Sequence, residues 1–231
     1  MAETINGPRL EPKSGQAKQL VVFLHGYGAD GKDLIEIGRQ WRPWLPDAAF
    51  VAPNAPEPCG MSPMGRQWFA LSNRPPNDRE GGDERWAGVV KAQPTLDAFL
   101  DSELARLGLD ESRLALVGFS QGTMMALHVG LRRKRAPASI VGYSGVLIGP
   151  EHLSEAAARD IRGARPPILL VHGDQDAVIP LEALFVSSEE LAKADIPNQW
   201  HLSIGIGHGI DNGGLRHGGL FIAKGFGLKV G

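Results

Sequence analysis

Runs of consecutive apolar residues punctuate this chain, and between them the apolar positions spread out to a helical period. Five runs are apolar at every position or nearly so: 20–24, 49–52, 114–117, 139–142 and 168–171. A strand that reads apolar throughout needs cover on both faces, as in a parallel sheet between layers of helices. A weaker sixth run spans 200–204. Leu96, Phe99, Leu100, Leu104 and Leu107 recur at helical spacing, and Gly108 supplies a stop. Met124, Met125, Leu127, Val129 and Leu131 predict a buried helix, and Leu181, Leu184, Phe185, Ser188 and Leu191 a third. The segment 212–226 keeps a face through Leu215, Leu220, Ile222 and Phe226. Its five glycines, Gly213, Gly214, Gly218, Gly219 and Gly225, each weaken a helix.

Strands alternating with helices predict an α/β fold, with a mostly parallel, twisted sheet covered on both faces. In such sheets the chemistry lies beyond the carboxyl ends of the strands. Residues 53–88 are rich in Pro, Gly, Asn and charge and read as one long irregular excursion on the substrate side. At 231 residues, without repeats or a long linker, the chain reads as a single domain over 1–231.

Composition narrows the function classes. The chain carries 24 basic and 26 acidic residues, without the basic excess of a nucleic-acid binder. Its one basic run, 132–135, follows an apolar helix, where cations suit the negative end of the helix dipole. No apolar run is long enough to span a bilayer, so no integral membrane association is expected. The single cysteine, Cys59, allows no intrachain disulfide and suits a reducing compartment. The start, 1–19, lacks the apolar core of a secretory signal, so the expected location is cytoplasmic. Thirty glycines are nearly twice the usual share and call for a local explanation.

Many of them flank candidate chemistry. The run 114–117 leads into Gly118-Phe119-Ser120-Gln121-Gly122, a G-x-S-x-G sequence between a buried strand and a buried helix. That placement suits a nucleophile elbow, a sharp turn that exposes the serine hydroxyl. An ordinary serine N-cap is the competing reading. A serine nucleophile needs a base, and on a sheet of this kind the chain order is Ser, then Asp or Glu, then His. Beyond 168–171 comes His172-Gly173-Asp174-Gln175-Asp176; beyond the sixth run comes Gly205-Ile206-Gly207-His208-Gly209. Either Asp174 or Asp176 could orient a histidine. Asp176 lies further past the strand, while Asp174 suits bonds to turn amides. His208 alone among the seven histidines sits in a glycine-flanked loop after the last strand. The H-x-D-x-D run could suggest a metal, but no second ligand cluster supports one, and no metal or cofactor is expected. Two backbone amides should meet the developing oxyanion: Gln121, following the nucleophile, and Tyr27, in the His25-Gly26-Tyr27-Gly28 loop after the first strand.

These motifs resemble the α/β-hydrolase superfamily, specifically its small phospholipase/carboxylesterase branch, which includes the acyl-protein thioesterases. The resemblance runs from about residue 20 to 210. It rests on Leu24-His-Gly-Tyr-Gly-Ala-Asp-Gly31, Ala52-Pro-Asn-Ala-Pro56, Arg66-Gln-Trp-Phe69, Gly118-Phe-Ser-Gln-Gly122, His172-Gly-Asp-Gln-Asp176 and Gly207-His-Gly209. It implies Ser120 as nucleophile, Asp176 rather than Asp174 as the acid, His208 as base, a minimal fold without a large cap, and Trp68 near the substrate. Tyr27 stands where the eukaryotic thioesterases tend to have leucine, a change that a backbone donor survives.

The expected activity is a serine carboxylesterase acting on small-molecule esters of short-to-medium acyl chain. The alternatives are a thioesterase or lysophospholipase for long acyl chains, with Trp68, Phe69 and Leu71 lining a groove, or a catalytically silent binding protein. A homodimer is a further expectation, from the Pro and aromatic residues of the excursion.

Overall fold

The computed structural model describes residues 4–60, 62, 64–71, 79–158 and 165–229. In chain order the elements are β1 (Arg9–Leu10), β2 (Gln19–Leu24), α1 (Gly31–Trp41), β3 (Ala48–Val51), β4 (Glu57–Pro58), β5 (Arg66–Gln67), α2 (Arg79–Leu107), β6 (Leu114–Phe119), α3 (Gln121–Gly130), β7 (Ser139–Tyr143), α4 (Leu153–Ala158), β8 (Ile168–Gly173), α5 (Glu182–Lys193), β9 (Asn198–Ser203) and α6 (Asn212–Gly225). Seven strands form one sheet in the order β1-β3-β2-β6-β7-β8-β9. All neighbours are parallel except the β1–β3 pair at the edge. β4 and β5 pair separately.

Period-two alternation sorts the strand side chains into two layers. Leu20, Val22, Leu24, Leu114, Leu116, Ile140 and Leu170 pack with α2, α3 and α5 through Leu96, Leu100, Met125, Leu127 and Leu184. Val21, Phe23, Ala115, Val117, Val141, Tyr143 and Val171 pack on the other face with Leu34 and Trp41 of α1 and Ile222 and Ala223 of α6. The all-apolar strands are therefore buried from both sides, as their sequence requires.

Two readings of the sequence change. The excursion 53–88 is not irregular throughout: it contains the β4–β5 pair, and α2 begins at Arg79 and continues through Pro94. Residues 72–78 lie outside the described residues. Helix α1 has no counterpart among the predicted elements, although Asp30 caps it by accepting from the Lys32 amide at 2.8 Å and Leu34, Ile37 and Trp41 mark its buried side.

The glycine-rich last segment is a regular helix, and its glycines have a packing reason. A Cβ at Gly218 would lie 1.9 Å from the Tyr143 hydroxyl, and one at Gly219 would lie 2.7 Å from the Trp44 ring. The aromatic donors then reach the helix backbone: Tyr143 Oη donates to Gly214 O at 3.1 Å and Trp41 Nε1 to Leu215 O at 3.0 Å. Asp211 caps α6 by accepting from the Gly213 and Gly214 amides. The basic run 132–135 is partly internal: Arg133 is buried and bonds Asp97 and Asp101, and Arg132 donates to the His128 carbonyl.

Candidate active site

The parallel strands finish at one edge of the sheet, and the register aligns their ends. Leu24 pairs with Gly118, Phe119 with Tyr143, and Gly173 with Ser203. The candidate loops therefore emerge side by side. Ser120 occupies the one-residue turn between β6 and α3 with φ 53° and ψ −116°, a conformation costly for a residue with a side chain. The turn is enforced from both sides: the Ser120 amide donates to Tyr143 O at 2.9 Å, and the Ser120 carbonyl accepts from the Thr123 amide at 2.9 Å. The Ser120 side chain makes no capping bond to α3. The N-cap reading therefore fails, and the hydroxyl is left to line a cavity of about 610 Å³.

Glycine is required where α3 starts. A Cβ at Gly122 would lie 1.8 Å from Leu24 O, so the first turn of α3 packs directly on the end of β2. The loop after β2 is thereby brought to Ser120, and a Cβ at Gly26 would lie 3.3 Å from Ser120 Cβ. In that loop the Gly28 amide donates to Arg66 O and the Ala29 amide to Gly26 O. The expected oxyanion donors, Tyr27 and Gln121, belong to these two abutting segments.

Asp176 and His208 meet across the ends of β8 and β9. His208 Nδ1 and Asp176 Oδ2 are 2.8 Å apart. Asp176 Oδ1 accepts from the Val178 and Ile179 amides at 2.8 and 2.9 Å. Burial pushes the Asp176 pKa up, but the Ile179 amide, His208 and the Val178 amide together hold it below the ordinary aspartate value. The carboxylate is thus an anion fixed at both oxygens. Asp174 faces elsewhere, accepting from the Gly205 amide at 2.6 Å. With Gln175 N donating to Ile206 O, that bond ties the loop holding Asp176 to the loop holding His208. The His208 ring lies 5.0 Å from the Phe119 ring, one residue before Ser120, and Ser144 Oγ donates to Gly209 O at 3.3 Å.

Trp68, which the resemblance sets near the substrate, lies under the loop after β2. It is 1% exposed, its Nε1 donates to His25 O at 3.0 Å and its amide donates to Gln121 Oε1 at 2.9 Å. Buried with both polar groups engaged, it supports the loop after β2 from beneath. His25 locks the same loop: its Nδ1 donates to Gly26 O at 2.8 Å, and its Nε2 accepts from the Ala55 amide at 3.0 Å. Burial lowers the His25 pKa, in keeping with a neutral ring. The roles of Ser144 and of the Gln121 side chain carry no signal in the sequence, since neither is set by a local motif.

The cavity beside Ser120 is walled by Met124, Leu147, Ile148, Ile179 and Ala183, with Asp83 and Arg85 of α2 at its polar part. A second cavity of about 430 Å³ shares Leu71 with it and is also lined by Phe69 and Ala87. Among the described residues, no group of three or more His, Cys, Asp or Glu side chains is placed to hold a metal, and no helix is long and apolar enough to cross a membrane.

Comparison with known proteins agrees with this fold. The phospholipase/carboxylesterase family model matches residues 5–225. Esterase YpfH of Escherichia coli is 29% identical over 87% of this chain and 80% of its own length. Acyl-protein thioesterase 1 of Schizosaccharomyces pombe is 31% identical over 69% of each chain. The crystal structure of esterase PE8 is 44% identical and superposes with a TM-score of 0.87, covering 96% of this chain and 99% of that one. The chain therefore belongs to the phospholipase/carboxylesterase family of α/β-hydrolases, a family of carboxylic ester hydrolases.

Proposed function

We propose that this chain is a serine carboxylesterase that cleaves esters of short-to-medium acyl chain through Ser120, His208 and Asp176. The observation that carries the reading is the left-handed Ser120 turn, whose hydroxyl caps nothing and which lines a largely apolar cavity. Strain of this kind persists only where surrounding bonds enforce it, and it projects Oγ clear of the turn. His208 takes the Ser120 proton as Oγ attacks the ester carbonyl. Asp176, ionised and bonded to Nδ1, fixes the ring so that Nε2 faces the reaction and stabilises the imidazolium. The Tyr27 and Gln121 amides receive the oxyanion, aided by the N-terminus of α3. His208 then protonates the departing alcohol, and water, deprotonated by His208, frees the acid from the acyl-enzyme. We read the chain as one domain, built on one sheet with a core on each face, and the free, buried Cys59 suits a reducing cytoplasm.

The cavity volume falls within the ordinary range for small-molecule sites. Each methylene buried there is worth about 0.8 kcal/mol, or roughly four-fold in kcat/KM, until the space is filled. A p-nitrophenyl ester series from acetate to palmitate tests the proposal: kcat/KM should climb and peak at about four to eight carbons, as a cavity of this class fills. A specific feature supports the long-chain alternative. Leu71 borders both cavities, so a longer acyl chain crossing it would enter the second. A peak beyond about twelve carbons, or higher turnover on a palmitoyl thioester, would select that reading.

A further inference from the structure

His172 is the penultimate residue of β8, is 1% exposed, and plays no part in the acyl-transfer steps above. Its Nε2 lies 2.9 Å from the Ile179 carbonyl and 3.4 Å from Asp176 Oδ2. A carbonyl oxygen only accepts, so Nε2 carries the hydrogen. That N–H is donated to Ile179 O, and the ring that carries it packs against the same carboxylate oxygen that bonds His208. We propose that His172 is a positioning residue for Asp176, holding the carboxylate plane in register with His208; this rests on the reading of Asp176 as the acid of the triad.

Geometry separates the two histidines. The His208 side chain is 19% exposed and the His172 side chain 1%, so only His208 can exchange protons with a substrate. His172 acts through what it touches. Asp176 Oδ1 is held by the Val178 and Ile179 amides. Those bonds define one edge of the carboxylate but leave Oδ2 to be steered by its own partners. His208 sits on a glycine-flanked loop, whereas His172 is fixed within the sheet. The same N–H anchors the Ile179 carbonyl, and Ile179 forms part of the wall of the cavity beside Ser120. A single buried donor thus ties Ile179, whose amide holds the acid and whose side chain forms part of the acyl wall, to the end of β8.

Glutamine places its side-chain amide nitrogen near the position of Nε2, whereas asparagine places it near Nδ1, so the pair separates the N–H at Nε2 from mere polarity. In steady-state ester hydrolysis, His172→Asn and His172→Leu should lower kcat about 10-fold or more, as loss of an outer partner of a catalytic group does elsewhere. KM should hold within about two-fold, because substrate touches neither residue. His172→Gln should recover most of the lost kcat. Circular dichroism verifies folding; if His172→Leu does not fold, the Asn and Gln variants decide. A folded His172→Asn variant with wild-type kcat, or a Gln variant as slow as Asn, overturns the proposal. Asp176→Asn is assayed alongside. If it too keeps wild-type kcat, the triad assignment fails; if it is inactive while His172→Asn is not, only the role of His172 fails.

Discussion

The side-chain amide of Gln121 brackets the backbone at Trp68. Its Oε1 accepts from the Trp68 amide at 2.9 Å, and its Nε2 donates to the neighbouring Phe69 carbonyl at 2.7 Å. Gln121 is fully buried, and its own backbone amide is one of the two proposed oxyanion donors. The bracket couples the 66–69 segment to the start of α3. Gln121→Leu leaves a buried N–H and a buried C=O without partners, at about 1–3 kcal/mol each. Its backbone amide remains. Urea denaturation should therefore show a clear loss of stability. Turnover should fall less than in Ser120→Ala, because the chemistry keeps all its groups. A Gln121→Leu variant as stable as wild type would show that the bracket is energetically empty.

The approach of α3 to β2 makes a paired prediction about glycines. At Gly122 an added methyl would meet the Leu24 carbonyl, a backbone atom that cannot swing away. Gly122→Ala should cost about 1–3 kcal/mol or more through overpacking and displace the Ser120 turn, so activity and melting temperature fall together. At Gly82, in α2, a Cβ would meet nothing within 4 Å, and alanine is the better helix former by about 0.5–1 kcal/mol. Gly82→Ala should raise the melting temperature. The same substitution with opposite signs separates close approach from helix propensity; equal effects at both sites would contradict the packing described.

The central strands were legible in the sequence because burial on both faces makes them apolar at every position. β9 was faint because it is the edge strand, with Gln199 and Trp200 exposed. Helix α1 went unread although its signals were present: an Asp30 cap and Leu34, Ile37 and Trp41 at helical spacing, interrupted by Gly38, which packs on Phe50. The first half of α2 was hidden by Gly81, Gly82, Gly88 and Pro94, residues that argue locally against a helix and are overridden by packing. At the proposed site, the chain order and loop placement of Ser120, Asp176 and His208 were readable, because each follows the end of a strand and the register of the sheet sets those ends side by side. The contacts of the Trp68 indole were not legible, because a motif does not say which way an indole points. The contacts of His25, Ser144 and His172 join segments distant in sequence, and no local pattern encodes them.

His25 makes stability depend on pH with a definite sign. Its folded-state pKa lies below the ordinary histidine value, through burial. Its contribution is therefore complete above about pH 6.5, where the unfolded chain is also neutral, and is lost as pH falls through the lower folded value. Protonation also turns Nε2 from an acceptor into a donor facing the Ala55 amide, which separates the loop after β2 from the 54–56 segment. His201, whose pKa is lowered by burial and then by His217, adds a change of the same sign. Melting temperatures recorded from about pH 7.5 to 5.5 should fall in the wild type and fall less steeply in His25→Gln. Parallel curves for the two proteins would remove His25 from the explanation.

The Ser120 turn lets strain be measured apart from chemistry. Ser120→Ala and Ser120→Gly both remove Oγ, so both should lose turnover and labelling by a fluorophosphonate. They differ in the backbone. Alanine keeps a Cβ in a region at φ 53° that only glycine enters freely, and residues held in such regions store about 1–3 kcal/mol. Glycine releases that strain but costs about 0.5–1 kcal/mol through the freedom it adds to the unfolded chain. The difference leaves Ser120→Gly about 1 kcal/mol more stable than Ser120→Ala in equilibrium unfolding. The glycine variant should also match or exceed the wild type in stability, since it loses no capping bond with the hydroxyl. An active alanine variant would dismiss Ser120 as the nucleophile. An inactive pair with alanine the more stable would keep the nucleophile and dismiss the strain, so each half of the elbow argument is tested by its own measurement.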